Sequence, residues 1–292
     1  MGTDRETRGG AQALTRSLLE TLKRPVRRLR ADYRRFTAPL RGLPSALIIG
    51  AQKSGTTSLY QYLVAHPDVV PPLTKEVHFF DLHHARGAGW YRGCFPYSHL
   101  LRDGSLTLEA SPYYLVHPLA PLRAAQLLPQ VKLIAILRNP VDRALSHYQH
   151  EVQKGREPLS VADAIEQESV RLAGEEKRLT EDPTYYSYNH HRYSYIRRGL
   201  YLEQLRRWAQ HFRRDQLLVL QSERLFRDPR KVMANVHGFL ELQPHHLKHY
   251  KPFLAGTYAS TMPDALRKRL SQYFEPHNQG LYRWLGESFD WQ

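Results

Sequence analysis

Three short stretches of the 292-residue chain combine groups able to bind anions with groups able to move a proton. The first, Gly50-Ala51-Gln52-Lys53-Ser54-Gly55-Thr56-Thr57-Ser58, sets a lysine and several hydroxyls around two glycines. Two glycines let backbone N–H groups approach an anion closely, and a helix beginning after the second adds the positive end of its dipole. The nucleotide-binding loop G-x-x-x-x-G-K-[ST] places its lysine after the second glycine. Here Thr56 holds that position and Lys53 lies within the loop. A lysine so placed reaches one phosphate and its leaving oxygen, while Thr56, Thr57 and Ser58 donate to the same group. A plain strand-to-helix turn is the competing reading.

The second stretch is Thr74-Lys75-Glu76-Val77-His78-Phe79-Phe80-Asp81. If it is extended, Glu76, His78 and Phe80 share one face, and a carboxylate and an imidazole lie side by side. Adjacent aromatic bulk is then expected to raise the carboxylate pKa, which makes an acid/base pair. The alternative is a half-buried strand whose polar residues only meet water. The third stretch opens at Arg138, directly after the apolar run 131–137, and reaches Ser146 about two helical turns later. An arginine fork suits a second phosphate, and Ser146 adds a hydroxyl. A magnesium-dependent NTPase more often carries aspartate at that strand end, so no metal is expected.

The elements that must hold these groups follow from pattern. Residues 46–50 and 131–137 read as buried strands, 105–109 and 216–221 as shorter ones, and 56–65, 118–128 and 199–212 as helices. Asp228-Pro229 opens another helix, and 266–274 and 278–285 read as two terminal ones. Strands alternating with helices predict an α/β fold with a central parallel sheet, whose ligands collect at the carboxyl edge of the strands. Residues 160–180 read as a charged, solvated helical face. Five tyrosines with Arg and His between Tyr185 and Tyr195 suit stacking on a sugar or another planar acceptor, or else a packed surface loop.

With 41% hydrophobic residues the chain has a sizeable core, and one large domain is expected over 44–292. The single Cys94 rules out an internal disulfide framework. Net charge is +14, of which residues 1–43 contribute +7 from 11 basic and 4 acidic side chains. Within that arm Leu14, Leu18, Leu22, Val26, Leu29, Tyr33 and Phe36 recur at helical spacing among arginines, with a kink at Pro25. A helix laid on the body is one reading of it, and peripheral membrane contact the other. No nucleic-acid-reading motif accompanies the charge, so nucleic acid is not expected as partner. Paired histidines at 83–84, 190–191 and 245–246 lack metal-site spacing. No signal peptide or bilayer-spanning run is read, which points to a cytoplasmic protein.

In order and spacing, Gly50 to Thr57, Lys75-Glu76-Val77-His78-Phe79-Phe80 and Arg138 to Ser146 resemble the sulfotransferases that use 3′-phosphoadenosine 5′-phosphosulfate (PAPS). The likeness is nearest the heparan sulfate 3-O- and N-sulfotransferase group and its bacterial relatives, and runs from about residue 44 to Phe289-Asp290-Trp291. It implies a P-loop NTPase-like three-layer fold with a central parallel sheet flanked by helices. It also implies that Lys53, Ser54, Gly55, Thr56, Thr57 and Ser58 hold the 5′-phosphosulfate, and Arg138 and Ser146 the 3′-phosphate. Glu76 would take the acceptor proton with His78 beside it, and a loop at Gly256, Thr257 and Tyr258 would close over the donor. Heparan sulfate enzymes of this type carry a lysine where this chain has Ala110. The acceptor implied is a carbohydrate or hydroxylated metabolite. A P-loop kinase-type phosphotransferase and a non-catalytic polyanion or membrane binder are the alternatives.

Overall fold

The computed structural model describes residues 29–30, 32–253 and 262–291. Four parallel strands form the sheet: β1 (Ala46–Gly50), β2 (Leu108–Ala110), β3 (Lys132–Leu137) and β4 (Leu217–Gln221), in the order β2-β1-β3-β4. The helices are α1 (Thr56–Val64), α2 (Gly87–Arg92), α3 (Ala120–Leu127), α4 (Pro140–Gln153), α5 (Val161–Leu172) and α6 (Glu175–Glu181). They continue with α7 (Tyr188–Arg192), α8 (Tyr201–Ala209), α9 (Ser222–Arg227), α10 (Pro229–Leu240) and α11 (Asp264–Leu285).

Alternation along the strands produces three layers. Leu47 and Ile49 of β1, with Leu133, Ala135 and Leu137 of β3, face one core with Tyr91, Tyr201, Trp208 and Trp291. Ala46 and Ile48, with Ile134 and Ile136, face the opposite core with Leu59 and Leu63 of α1 and Met233 and Val236 of α10. Both faces of β1 and β3 are buried, as apolar runs in a parallel sheet require.

Two expectations about elements are corrected. The terminal helices predicted over 266–274 and 278–285 are the single helix α11, which carries Pro276 inside it. A proline removes one backbone hydrogen bond, but buried Leu270 and Phe274 before it and Asn278, Leu281 and Tyr282 after it hold one continuous face to the core. The stretch 160–180 is not one solvated helix. It breaks at Gly174, φ 75°, and two of its carboxylates, Glu168 and Glu175, turn inward. Buried Glu168 accepts the N–H groups of Ile196 (2.6 Å) and Arg197 (2.8 Å), and Glu175 accepts the hydroxyls of Tyr185 and Ser187. The predicted kink at Pro25 and most of the basic arm lie outside the described residues; 32–36 is helical, with Tyr33 bonded to Tyr97 (2.7 Å).

Gly50 ends β1 where the backbone runs against the segment after β2. A Cβ there would sit 2.6 Å from Leu115 Cβ and 3.2 Å from the Pro112 carbonyl oxygen, and Leu115 is pinned by its N–H to the Ile49 carbonyl (2.8 Å). Gly50→Ala is therefore expected to lower the stability measured by urea denaturation by about 1–3 kcal/mol, the usual cost of overpacking. An unchanged midpoint would show that this contact yields.

Candidate functional site

At the carboxyl edge of β1 and β3 lies a cleft of about 650 Å³, and residues far apart in the chain meet in it. Gln52, Lys53, Gly55, Thr56 and Thr57 form one wall. Gly55 caps α1 in the left-handed region, φ 97°, which a side chain would resist, and a Cβ there would also meet the Phe226 ring at 3.1 Å. The first turn of α1 contains no acidic residue, so no side chain of its own competes for the N–H groups there. Ser54 and Ser58, grouped with these by sequence, are buried and do not line the cleft. Ser58 instead accepts the N–H of Phe253 (2.9 Å) and fastens that residue over α1.

The opposite wall comes from the end of β3 and from α4. Arg138 and Ser146 both line it, with Asp142 and His150 between and beyond them. The Arg138 guanidinium donates to the Lys53 carbonyl (3.3 Å), so the two segments are tied together, and the Tyr201 hydroxyl donates to the Arg138 carbonyl (2.8 Å). Asn139 caps α4 by accepting the Val141 N–H (2.9 Å), and Glu223, itself in the cleft wall, accepts the Asn139 N–H (2.9 Å).

Glu76 reaches the cleft from a third direction, though not from an extended strand. Residues 75–78 form no strand, and Glu76 (φ 59°) and His78 (φ 54°) are both left-handed. The expected shared strand face is absent; two left-handed residues in one turn bring the side chains together instead. Non-glycine residues in that region persist only where the surroundings over-determine them, and they cluster at functional sites. Glu76 Oε1 accepts the Lys75 ammonium (2.9 Å) and Oε2 lies 3.5 Å from His78 Nε2. His78 Nδ1 is 2.8 Å from the buried carboxylate of Asp81, and Lys75 also donates to the Thr57 hydroxyl (3.0 Å).

The electrostatics reverse a second expectation. Burial acts to raise the Glu76 carboxyl, but the His78 hydrogen bond and the Lys75 charge outweigh it and hold the group at about 2. Burial is the largest single influence, and it is outweighed only by the hydrogen bonds and charges of His78 and Lys75 acting together. Burial acts to lower His78, whereas Asp81 and then Glu76 carry it up to about 10. The cleft thus presents an ionised carboxylate backed by an imidazolium.

Sequence reasoning passed over Lys75 and Asp81, although both stand in the stretch it singled out. Their adjacency to Glu76 and His78 was the available signal. It had no signal for Phe226 and Phe253, two aromatic side chains 43% and 46% exposed that line the cleft from distant elements. Of the tyrosine-rich segment, His190, His191 and Tyr195 are buried, and only Tyr186 and Tyr188 expose much of their rings. His191 stacks on Tyr113 at 4.5 Å, and buried Arg198 joins this segment to the loop by donating to the His191 carbonyl (2.8 Å) and to Gln52. The segment is therefore mostly packed structure at the side of the cleft. Gly256, Thr257 and Tyr258 lie outside the described residues, although Pro252 and Phe253 just before them line the cleft. Ala110 is buried in β2 beneath α1.

Comparison with known proteins identifies the family. The sulfotransferase domain model matches residues 43–275. The chain is 32% identical over 274 residues to heparan sulfate glucosamine 3-O-sulfotransferase 6 of Mus musculus, covering 86% of this chain and 74% of that protein. It is 31% identical over 272 residues to the human 3-O-sulfotransferase 3B1, covering 85% and 65%. Among solved structures, a sulfotransferase from Alicyclobacillus acidocaldarius superposes with a TM-score of 0.67 at 30% identity, covering 85% of this chain and 98% of that one. By its matched domain, its relatives and its fold, this chain belongs to the sulfotransferase family and is a transferase of sulfuryl groups.

Proposed function

We propose that the protein moves a sulfuryl group from PAPS to a hydroxyl of a carbohydrate, with Lys53 stabilising the leaving phosphate and Glu76 receiving the acceptor proton. The observation that carries this is the meeting of Lys53, Arg138, Ser146 and Glu76 in one cleft. A volume of about 650 Å³ is ample for a nucleotide. The donor supplies a sulfuryl group already attached to a good leaving group. The N–H groups at the start of α1, with Lys53, Thr56 and Thr57, suit its 5′ end, and the Arg138 fork with Ser146 suits its 3′-phosphate. The exposed rings of Phe226 and Phe253 offer flat apolar surface to a base. Carbohydrate is favoured as acceptor because the most similar relatives are named for glucosamine sulfation.

A carboxylate held at about 2 is a weak base towards a free alcohol. The acceptor oxygen becomes strongly acidic once it begins to bond to sulfur, so a weak but well-placed base takes the proton late. Lys75 and His78 keep Glu76 ionised and aimed until then. Lys53 offsets charge growing on the leaving oxygen, the dominant need in a loose group transfer.

Adenosine 3′,5′-bisphosphate at 100 times its dissociation constant is expected to stabilise the fold by about 2.7 kcal/mol. In thermal-shift measurements Arg138→Ala should weaken the bisphosphate far more than ADP; equal effects would remove the assignment of Arg138. Glu76→Gln should leave bisphosphate affinity nearly unchanged while sulfate transfer from radiolabelled PAPS to a glycan panel falls by about 10²-fold or more. Near-normal transfer would refute the base assignment. Because His78 is raised from its ordinary value, the stability it contributes is complete below about pH 6.5 and is lost as pH climbs towards about 10. Urea denaturation from about pH 6 to about pH 9.5 should show the advantage of wild type over His78→Gln shrinking with rising pH. A constant difference would mean that His78 is not charged.

A further inference from the structure

We propose that Glu109, buried in β2 beneath the cleft, is a positioning residue that holds the turn carrying Glu76 and His78 by directing the hydroxyls of Ser111 and Tyr114 at its backbone. The proposal rests on the reading of that turn as the proton-accepting part of the site. Glu109 is fully buried, and its carboxylate accepts three hydroxyls. Ser111 (2.7 Å) and Tyr114 (2.6 Å) donate to Oε1, and Tyr91 (2.6 Å) donates to Oε2.

A hydroxyl has one proton to give. With that proton spent on Glu109, the Ser111 oxygen accepts the N–H of His78 (3.1 Å), and the Tyr114 oxygen accepts those of Phe79 (2.7 Å) and Phe80 (3.3 Å). The carboxylate, which only accepts, therefore sets the direction of both hydroxyls and turns them into acceptors for three consecutive backbone donors. Those donors begin at His78, one of the two left-handed residues, and the His78 carbonyl is engaged from the other side by the N–H of His83 (2.9 Å). Buried N–H groups need such partners, and without them the turn has no reason to keep a conformation that a side chain disfavours. Burial raises the Glu109 carboxyl above its ordinary value, and the hydroxyls of Tyr114, Tyr91 and Ser111 limit that rise.

The two oxygens of Glu109 divide the network in a way that permits a matched control. Tyr91 bonds Oε2 and gives no acceptor to the turn, whereas Ser111 and Tyr114 bond Oε1 and do. Tyr91→Phe and Tyr114→Phe each remove one buried hydroxyl and keep the ring. The measurement is the titration of the His78 imidazole by NMR, assigned by its loss in His78→Gln, because that value depends on His78 staying beside Asp81 and Glu76.

Tyr91→Phe is expected to keep the raised titration midpoint. Tyr114→Phe, Ser111→Ala and Glu109→Ala should lower it by about one pH unit or more, a tenfold change in proton affinity, at unchanged affinity for adenosine 3′,5′-bisphosphate. Should Glu109→Ala fail to fold, the two hydroxyl variants still decide the question. An equal shift in Tyr91→Phe and Tyr114→Phe, or none in either, would overturn the proposal and leave Glu109 as a general core residue. Because the titration needs no acceptor, normal transfer by Glu76→Gln would sink the base assignment and leave this positioning to be judged separately.

Discussion

The parallel pairing of β1 with β3 is the constraint on which the site depends. Gly50 ends β1 opposite Ala135, and the neighbouring β3 runs two residues further to Leu137 before the chain leaves the sheet. The loop carrying Lys53 and the turn carrying Arg138 therefore emerge side by side. Chain order also reverses there, because β1 is followed on one side by β2 and on the other by β3. Such a switch point leaves a crevice between neighbouring connections, and the cleft fills it. The Arg138 guanidinium, bonded to the Lys53 carbonyl, then links the two connections directly.

Against that frame the acid/base group is built by alternating charge. Lys75, Glu76, His78 and Asp81 run as cation, anion, cation, anion, each within 3.5 Å of the next. Pairing of this kind offsets the desolvation that a partly enclosed cleft imposes, and it orients each member through the one beside it. The outcome is a carboxylate held well below its ordinary range, as the late proton transfer proposed for it requires. Its weakness as a base follows from the same neighbours that keep it in place.

Carboxylates also do much of the interior construction. Glu168 and Glu175 hold the tyrosine-rich segment, Glu223 holds the start of α4, and Glu109 lies under the Glu76 turn. Among the described residues Asp81, Glu109, Glu151, Glu157, Glu168 and Glu175 are buried, and the cleft wall sets Lys53 and Arg138 among the carboxylates of Glu76, Asp142 and Glu223. The aromatic and histidine side chains once read as a sugar platform are largely the packing around these acids, with Tyr186 and Tyr188 the exposed remainder.

Much of this was legible in residues alone. The apolar runs at 46–50 and 131–137 determined two buried strands, because a run without polar alternation suits a strand covered on both faces. Glycine spacing marked the loop, and Lys53, Arg138 and Glu76 announced their chemistry by type and position. What only the tertiary structure decided were features made by contacts across the chain. The left-handed turn at Glu76 and His78 depends on Ser111 and Tyr114, more than thirty residues away, so local pattern favoured a strand that does not form. The low value of Glu76 depends on which neighbours surround it, and two cations defeated the burial that aromatic residues nearby had suggested. Ser58, read as a ligand by position, is bonded to the N–H of Phe253, nearly two hundred residues later. Residue type sets what a group can do, whereas the partners that fix its direction and charge exist only once distant segments have met.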